Sequence, residues 1–206
     1  KVTNTISLQR LFDRDTAFLA QQWDQVDYVI ITLSSMVPAL SDFIDWEINK
    51  DHSVEIKTIS WIEETYDGQD IQMKVRMFLR DIYHSYNHTL RYVLLIGNNE
   101  DIPQREIAID KGYGHPHTDF YYAELTDTDE RSWDSDKDGN YGELDDTYDL
   151  ENEIIVGRIP FSDPLLVSRV LQNTIEFERN NNSFYKKNML LMGAFLWNTT
   201  DTAQLM

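Results

Sequence analysis

Five residues in the middle of the chain carry oxygen ligands at a spacing that can wrap a cation. They are Asp134, Asp136, Asp138, Asn140 and Asp145, at positions one, three, five, seven and twelve of a twelve-residue loop (residues 134–145). Calcium takes about six to eight oxygen ligands, and loops of this pattern supply them from those positions, with the seventh residue binding through its carbonyl. Gly139 stands at position six, where the chain must turn sharply. The sequence therefore predicts structural Ca²⁺ in this loop.

Two features separate the twelve-residue loop from an EF-hand. Its last position carries Asp rather than Glu, and neither flank shows a clear amphipathic helix. The prediction is therefore a calcium loop without the helices of an EF-hand. The alternative is a solvated acidic loop that binds no metal. The regular alternation of oxygen ligands, together with the glycine, favours calcium.

Negative charge is concentrated around this loop. The 206 residues carry a formal net charge of −18 at pH 7. The acidic segment, residues 119–153, holds fourteen acidic side chains and only two basic ones, Arg131 and Lys137, for a net charge of −12. Phosphate binding requires clustered Lys and Arg, so this charge excludes nucleic acid and anionic lipid as partners of the segment. It favours divalent cations and basic peptides.

The composition is that of a folded domain without cysteine chemistry. Apolar residues make up 41% of the chain and aromatic residues 12%, which is enough for a core. Cysteine is absent, so neither a disulfide nor a thiol nucleophile can reside in these residues. No apolar run approaches the roughly 18 residues of a membrane span. Sequons at Asn87, Asn181 and Asn198 are compatible with a secreted protein.

Short β-branched runs alternate with stretches of helical period, a pattern that predicts βαβ units and a mainly parallel sheet. The predicted strands are Tyr28–Leu33, Ser53–Thr58, Tyr92–Gly97, Glu153–Arg158 and Met189–Met192. Several of them are apolar on both faces, as buried parallel strands are. The polar connection between Asn98 and Asn152 is too long for an ordinary loop in a compact domain, and it contains the twelve-residue loop.

Three helices are predicted between these strands. The first has Ser35 near its cap and Pro38 in its first turn, and the third begins at Ser162 or Asp163. The second follows Asp70 as its cap and repeats apolar residues at helical spacing. Its solvent side is predicted to carry Lys74, Arg76, Arg80 and Asp81.

Several segments together resemble the catalytic region of gingipain-type cysteine endopeptidases, a family with a caspase-like fold. They are Asp27–Ile31, Phe43–Trp46, Val54–Lys57, Tyr92–Gly97 followed by Asp101–Pro103, Thr118–Asp119, Val156–Arg158 and Thr174–Glu178. The resemblance implies an α/β fold, a three-layer sandwich with a mainly parallel, caspase/gingipain-like sheet. It also implies a nucleophilic cysteine activated by a histidine in a His-Gly segment beyond the fifth strand, and neither is in this chain. We therefore expect no catalytic residue here.

The same resemblance implies a division of the chain. Residues 1–27 are a lead-in, residues 28–180 form the first, non-catalytic half-domain with its acidic calcium segment at 119–153, and residues 186–206 begin a truncated catalytic half. The first residues lack an initiator methionine and a secretory apolar core, so we expect a piece of a longer polypeptide.

The resemblance also implies a candidate substrate-recognition residue, Asp201. In Arg-directed gingipains an acidic side chain beyond the strand that opens the second half-domain pairs with the substrate guanidinium. Asp201 lies at about that place, and a carboxylate there would accept a bidentate arginine. Its spacing to the strand differs from the family pattern, which favours the alternative of a solvated aspartate. His115 and His117 are interpreted as a polar turn rather than metal ligands, and Asp119 as holding the segment Phe120–Tyr122 in place.

These observations predict the N-terminal half-domain of an extracellular or cell-surface gingipain-like cysteine endopeptidase. Its partners would be the catalytic half of the same polypeptide and a peptide or protein substrate, and alone it would be inactive. The alternative is a calcium-stabilised binding or structural module of the same fold. A flavodoxin-like domain fits least, because Ser34–Pro38 after the first strand lacks a phosphate-binding Gly-x-Gly-x-x-Gly.

Overall fold

The chain divides into two compact units, Lys1–Asn173 and Thr174–Met206. The computed structural model describes residues 25–108, 115–126, 128, 131–180, 186, 188, 195–197 and 200–201. The predicted strand Met189–Met192, the sequons at Asn181 and Asn198, and most of the predicted lead-in lie outside the described residues.

A four-stranded parallel sheet forms the centre of the first unit. Its strands are β1 (Tyr28–Thr32), β2 (Val54–Thr58), β3 (Tyr92–Ile96) and β6 (Ile155–Ile159), and an antiparallel pair is formed by β4 (Arg105–Glu106) and β5 (His117–Thr118). The order in the central sheet is β2-β1-β3-β6. Tyr28 is paired with Val54 and Tyr92, and Tyr92 with Ile155, so the four strands begin level with one another. Four predicted strands are confirmed, with ends that differ by one or two residues.

Helices follow the strands. They are a 3₁₀ helix (Ser34–Leu40), α1 (Ser41–Asn49), α2 (Ile59–Thr65), α3 (Ile71–Ser85), α4 (Phe120–Ala123) and α5 (Pro164–Arg179). The cap predicted for α3 is confirmed, since Asp70 accepts from the Met73 N–H at 2.8 Å. The third predicted helix, α5, begins at Pro164, next to its predicted beginning, and the Asp163 carboxylate accepts from the Leu165 N–H at 2.7 Å. The first predicted helix begins differently, because Pro38 lies inside the 3₁₀ helix and the α-helical part starts only at Ser41.

The central sheet is covered on both faces. Successive side chains of a strand point to opposite sides, so Tyr28 faces away from Val29. The Phe43 ring of α1 packs edge-on against Tyr28, with ring centroids 6.2 Å apart. On the other face, Val29 belongs to the apolar core that includes Val75 and Phe78 of α3. The predicted three-layer α/β sandwich with a mainly parallel sheet is therefore confirmed.

The second unit contains a short antiparallel pair. Its strands are β7 (Phe195–Trp197) and β8 (Thr200–Asp201), with Phe195 paired to Asp201.

Arg76 does not lie on the solvent side of α3, so that part of the prediction is wrong. Its side chain is buried, and its guanidinium donates to the backbone carbonyls of Tyr121, Glu124 and Thr126 at 2.7–3.1 Å. It also donates to the Glu124 carboxylate at 2.9 Å. The connection from β3 to β6 folds over this face of α3, and its carbonyls satisfy the guanidinium that burial removes from water.

Glu124 completes this buried ion pair. Its residue is 1% exposed, and besides Arg76 its carboxylate accepts a hydrogen bond from the Trp133 indole N–H. Burial raises the pKa of Glu124, and the neighbouring guanidinium charge offsets only part of this rise. The pair thus joins α3 to the segment that leads into the twelve-residue loop.

We predict that Arg76→Met destabilises the chain by about 3–5 kcal/mol, because it leaves the Glu124 carboxylate buried without its counter-charge. Urea unfolding followed by circular dichroism measures the loss. The matched control is Arg131→Met, which removes an ion pair to Asp149 of similar length, 2.8 Å, from a side chain that is 58% exposed. The control should stay within about 1 kcal/mol of the parent chain. Equal losses in the two variants would contradict the role given to Arg76.

Candidate functional site

Aromatic rings anchor the twelve-residue loop on the first unit. Trp133, directly before the loop, stacks on Tyr148 at 4.4 Å between ring centroids and meets Tyr121 edge-on at 5.3 Å. The Gly142 N–H donates to the Trp133 carbonyl at 2.8 Å, with φ +73° at Gly142, a conformation that favours glycine. The rings of Tyr121, Trp133 and Tyr148 therefore form an aromatic base against which the loop packs.

Arg105 fastens the loop to the beginning of α3. Its guanidinium carbon lies 3.8 Å from the ring centroid of Tyr141, within the loop, and 4.4 Å from that of Tyr121. The same guanidinium donates to both carboxylate oxygens of Asp70, the cap of α3, at 2.7 and 2.9 Å. Burial raises the pKa of Asp70, but the hydrogen bonds from Arg105 and the Met73 N–H outweigh it, so the pKa is lowered.

Three aspartates converge at the beginning of the loop. One carboxylate oxygen from each of Asp134, Asp136 and Asp138 lies within 4.8 Å of the other two. Oxygens that share one calcium ion at about 2.3–2.6 Å can be at most about 5 Å apart, so these three can reach a common ion. Asp134 is half-buried, and the other two are exposed to incoming solutes.

Backbone N–H groups of the loop hold these carboxylates in place. Asp136 accepts from the Asp138 N–H at 3.2 Å, Asp138 from the Asn140 N–H at 2.8 Å, and Asp134 from the Gly139 N–H at 3.4 Å. Gly139 has φ +88°, which confirms the turn expected at position six. A carboxylate has about four acceptor sites, so each one keeps capacity for a cation.

The other two predicted ligands stand apart from this group. The Asn140 side chain donates to Asp138 at 2.8 Å, which leaves its backbone carbonyl as the ligand predicted for it. The Asp145 carboxylate is exposed and does not belong to the converging group.

Desolvation, followed by the charges of Asp138, Asp145 and Asp136, raises the pKa of Glu143. The loop carboxylates therefore share one strongly negative field.

Asp146, the residue directly after the loop, is a structural contact that sequence reasoning missed. Its carboxylate accepts from the Ser135 N–H at 2.7 Å near the beginning of the loop and from the Glu143 N–H at 2.9 Å near its end. It thereby closes the loop from outside its twelve positions. The only signal in the sequence is a second aspartate directly after position twelve.

A second polar cluster lies at the carboxyl edge of the central sheet. Arg158 of β6 donates to both carboxylate oxygens of Asp119, at 2.8 and 2.7 Å, and to the Gly97 carbonyl just beyond β3 at 2.9 Å. The Asp119 carboxylate thus holds Arg158, while its backbone carbonyl accepts from the Tyr122 N–H at 3.0 Å. The cluster fixes the beginning of α4 at the edge where doubly wound sheets bind ligands.

The remaining predicted residues lie elsewhere. His117 lies in strand β5, opposite Glu106, rather than in the predicted turn. His115 lies two residues before it, and its exposed side chain is 3.2 Å from the Glu106 carboxylate. Asp201 is in β8, and its role in specificity stays a prediction. Among the described residues, no helix has both the length and the apolar character needed to cross a membrane.

Comparison with known proteins gives related sequences. Gingipain R2 and gingipain R1 of Porphyromonas gingivalis are each 24% identical over 152 residues, or 74% of this chain. The chain spans only 17% and 12% of the length of these two relatives.

Solved structures share the fold. The crystal structure of the Arg-specific cysteine proteinase gingipain R matches with a TM-score of 0.54 and 20% identity, over 78% of this chain and 30% of that one. A complex of pro- and mature gingipain domains from Porphyromonas gingivalis matches with a TM-score of 0.53 and 21% identity, over 75% of this chain and 29% of that one. These likenesses support the gingipain-like, caspase-type sandwich that the sequence predicted.

The family model described as "Peptidase family C25" matches residues 21–205, which is most of the chain. Together with the parallel sheet of the first unit, this match shows that the chain belongs to peptidase family C25.

Proposed function

We propose that this chain is the N-terminal, non-catalytic half-domain of a gingipain-like cysteine endopeptidase that acts outside the cell or at its surface. The observation that carries the proposal is a family match over residues 21–205 in a chain without cysteine. A cysteine peptidase needs a thiolate as its nucleophile. In this proposal the thiol and the activating imidazole belong to further polypeptide, and these residues supply the scaffold.

The scaffold role is supported by the hydrogen bonds that join chain segments at the carboxyl edge. Reactive groups of doubly wound sheets gather outside the carboxyl ends of the strands. The bidentate pair of Arg158 and Asp119, with its bond to Gly97, fixes three chain segments at that edge. A catalytic half that docks beside this edge would find one wall of the substrate cleft already in place.

The proposal divides the chain as the family resemblance implies. Residues 1–27 lead into the first half-domain at 28–180, and residues 186–206 begin the catalytic half. Asp201 would there accept the guanidinium of a substrate arginine through two parallel hydrogen bonds.

The twelve-residue loop serves as a structural calcium site in this proposal. Support comes from the convergence of Asp134, Asp136 and Asp138 and from the N–H groups that orient them. The ion would offset part of the −12 charge of the acidic segment and stabilise the loop on its aromatic base. The carbonyl of Asn140 and the carboxylate of Asp145 would complete the shell as the chain closes around the ion.

The peptidase proposal predicts that the isolated chain cleaves no peptide, whereas a form extended by at least about a hundred residues, a typical domain length, cleaves after Arg or Lys. Cleavage should require a free thiol and stop on alkylation, because the nucleophile is a thiolate. Fluorogenic peptides with Arg, Lys or Ala before the cut measure it. An extension that contains no Cys and His-Gly and releases no product would contradict the peptidase and leave the non-catalytic module.

The calcium proposal predicts a higher melting temperature when Ca²⁺ is added to the metal-free chain. At a hundred-fold excess over Kd the rise should be about 5–10 °C for a domain of this size. Asp136→Ala combined with Asp138→Ala should abolish the rise, since two of three converging oxygens are lost. Differential scanning calorimetry with and without chelator measures it.

The matched control removes the same charge elsewhere. Asp42 and Asp45 are exposed on α1, so replacing both with Ala changes the net charge by the same amount. This control should keep the calcium response in full. An undiminished response in the loop variant, or an equal loss in the control, would place the ion outside the loop.

A further inference from the structure

Two imidazoles meet at the end of α3, far along the sequence from the twelve-residue loop. His84 Nδ1 lies 3.4 Å from His88 Nε2, and the ring planes are inclined at 77°. Both side chains are exposed. We propose that His84 and His88 form a surface site for a borderline divalent cation, Zn²⁺ above all, that clips the last turn of α3 to the chain that follows it.

The separation of the two nitrogens fits tetrahedral zinc. At Zn–N bonds of about 2.0–2.1 Å, two ligand nitrogens of a tetrahedral ion lie about 3.3–3.4 Å apart. The separation in this structure is 3.4 Å. At similar bond lengths, neighbouring ligands of a square-planar or octahedral ion would be only about 2.9 Å apart, so the tetrahedral ion fits best. Each ring would turn by roughly 30–40° to direct its lone pair at the ion, a motion open to exposed side chains.

The backbone holds His88 in the position that creates the pair. Asn87 and His88 have φ of 52° and 63°, a left-handed conformation that is uncommon outside glycine. The His88 N–H donates to the Tyr83 carbonyl at 2.8 Å, a bond that ends the helix and brings the chain back over its last turn. The Tyr83 ring then packs against the His88 ring at 4.5 Å between centroids. His84 is fixed by the helix, so two restrained segments present their imidazoles to each other.

The electrostatic setting favours a cation. The site lies at the carboxyl end of a fifteen-residue helix, where the helix dipole concentrates negative potential. The whole chain carries −18, which adds to this attraction. Without metal, one imidazole donates its N–H to the other. A cation would displace that hydrogen bond: the donating ring would move its proton to its other nitrogen through solvent, and both facing nitrogens would then bind the ion through their lone pairs, with water in its remaining positions.

Ligand chemistry separates this site from the twelve-residue loop. Calcium is a hard ion that takes oxygen ligands, whereas zinc accepts imidazole nitrogen readily. The histidine site therefore does not depend on the proposed calcium site, and the two are expected to fill with different metals.

Isothermal titration of the metal-free chain with Zn²⁺, in saturating Ca²⁺, tests the proposal. One zinc site is expected, and His84→Gln and His88→Asn should each lower its association constant by about tenfold or more, because each removes one of two protein ligands. Asn tolerates the left-handed conformation at position 88, and Gln suits a helix, so both variants should fold. Circular dichroism checks this.

Two matched variants make the result specific. His115→Ala removes an exposed histidine outside the pair, and Asp136→Ala with Asp138→Ala removes the aspartate cluster. Both should keep the zinc affinity of the parent chain, and zinc should raise the melting temperature of the parent but not of His84→Gln. The proposal is overturned if the parent takes up no zinc, if both pair variants bind it unchanged, or if the aspartate variant loses it.

Discussion

The buried guanidinium of Arg76 is the interaction on which the rest of the first unit depends. One side chain of α3 satisfies three carbonyls and one carboxylate of the connection that runs from β3 to β6. Without it, that connection would leave polar backbone groups unpaired against an apolar helix face. Because Glu124 also binds the Trp133 indole, the same ion pair determines where the twelve-residue loop begins.

The acidic segment that contains Glu124 concentrates negative charge, and its loop is held in place by neighbouring side chains. The acidic segment carries −12, and the twelve-residue loop within it is held by aromatic stacking and by Arg105, which contacts Tyr141 and binds Asp70. Such a loop keeps its self-repulsion in the folded state, and a bound cation would reduce it. In the proposed function this loop stabilises the scaffold, and Arg158 fixes the carboxyl edge of its sheet. The reactive groups come from further polypeptide.

The elements that were predicted correctly are those whose own residues show a short-range periodicity. The strands Tyr28–Thr32 and Tyr92–Ile96 are apolar on both faces, and α3 carries a cap and a repeating apolar face, so each could be located from its own residues. Arg76 was placed in solvent because helical periodicity cannot show that a connection 45 residues away folds over the polar face. The hydrogen bonds of Asp146 to both ends of the loop and the pairing of Arg158 with Asp119 also join segments that are apart in the sequence. No local sequence pattern predicts these contacts. The convergence of Asp134, Asp136 and Asp138 followed from spacing alone.

The central claim is that this half-domain is a scaffold and that the nucleophile of the peptidase lies in other polypeptide of the same protein. Covalent labelling of the full-length protein with an arginine-based, thiol-reactive inhibitor, followed by peptide mass spectrometry, tests it most directly. The account predicts that the label is found on a single cysteine outside residues 1–206 and that alkylation beforehand prevents it. Stoichiometric labelling of a residue within this chain, with loss of activity, would contradict the account.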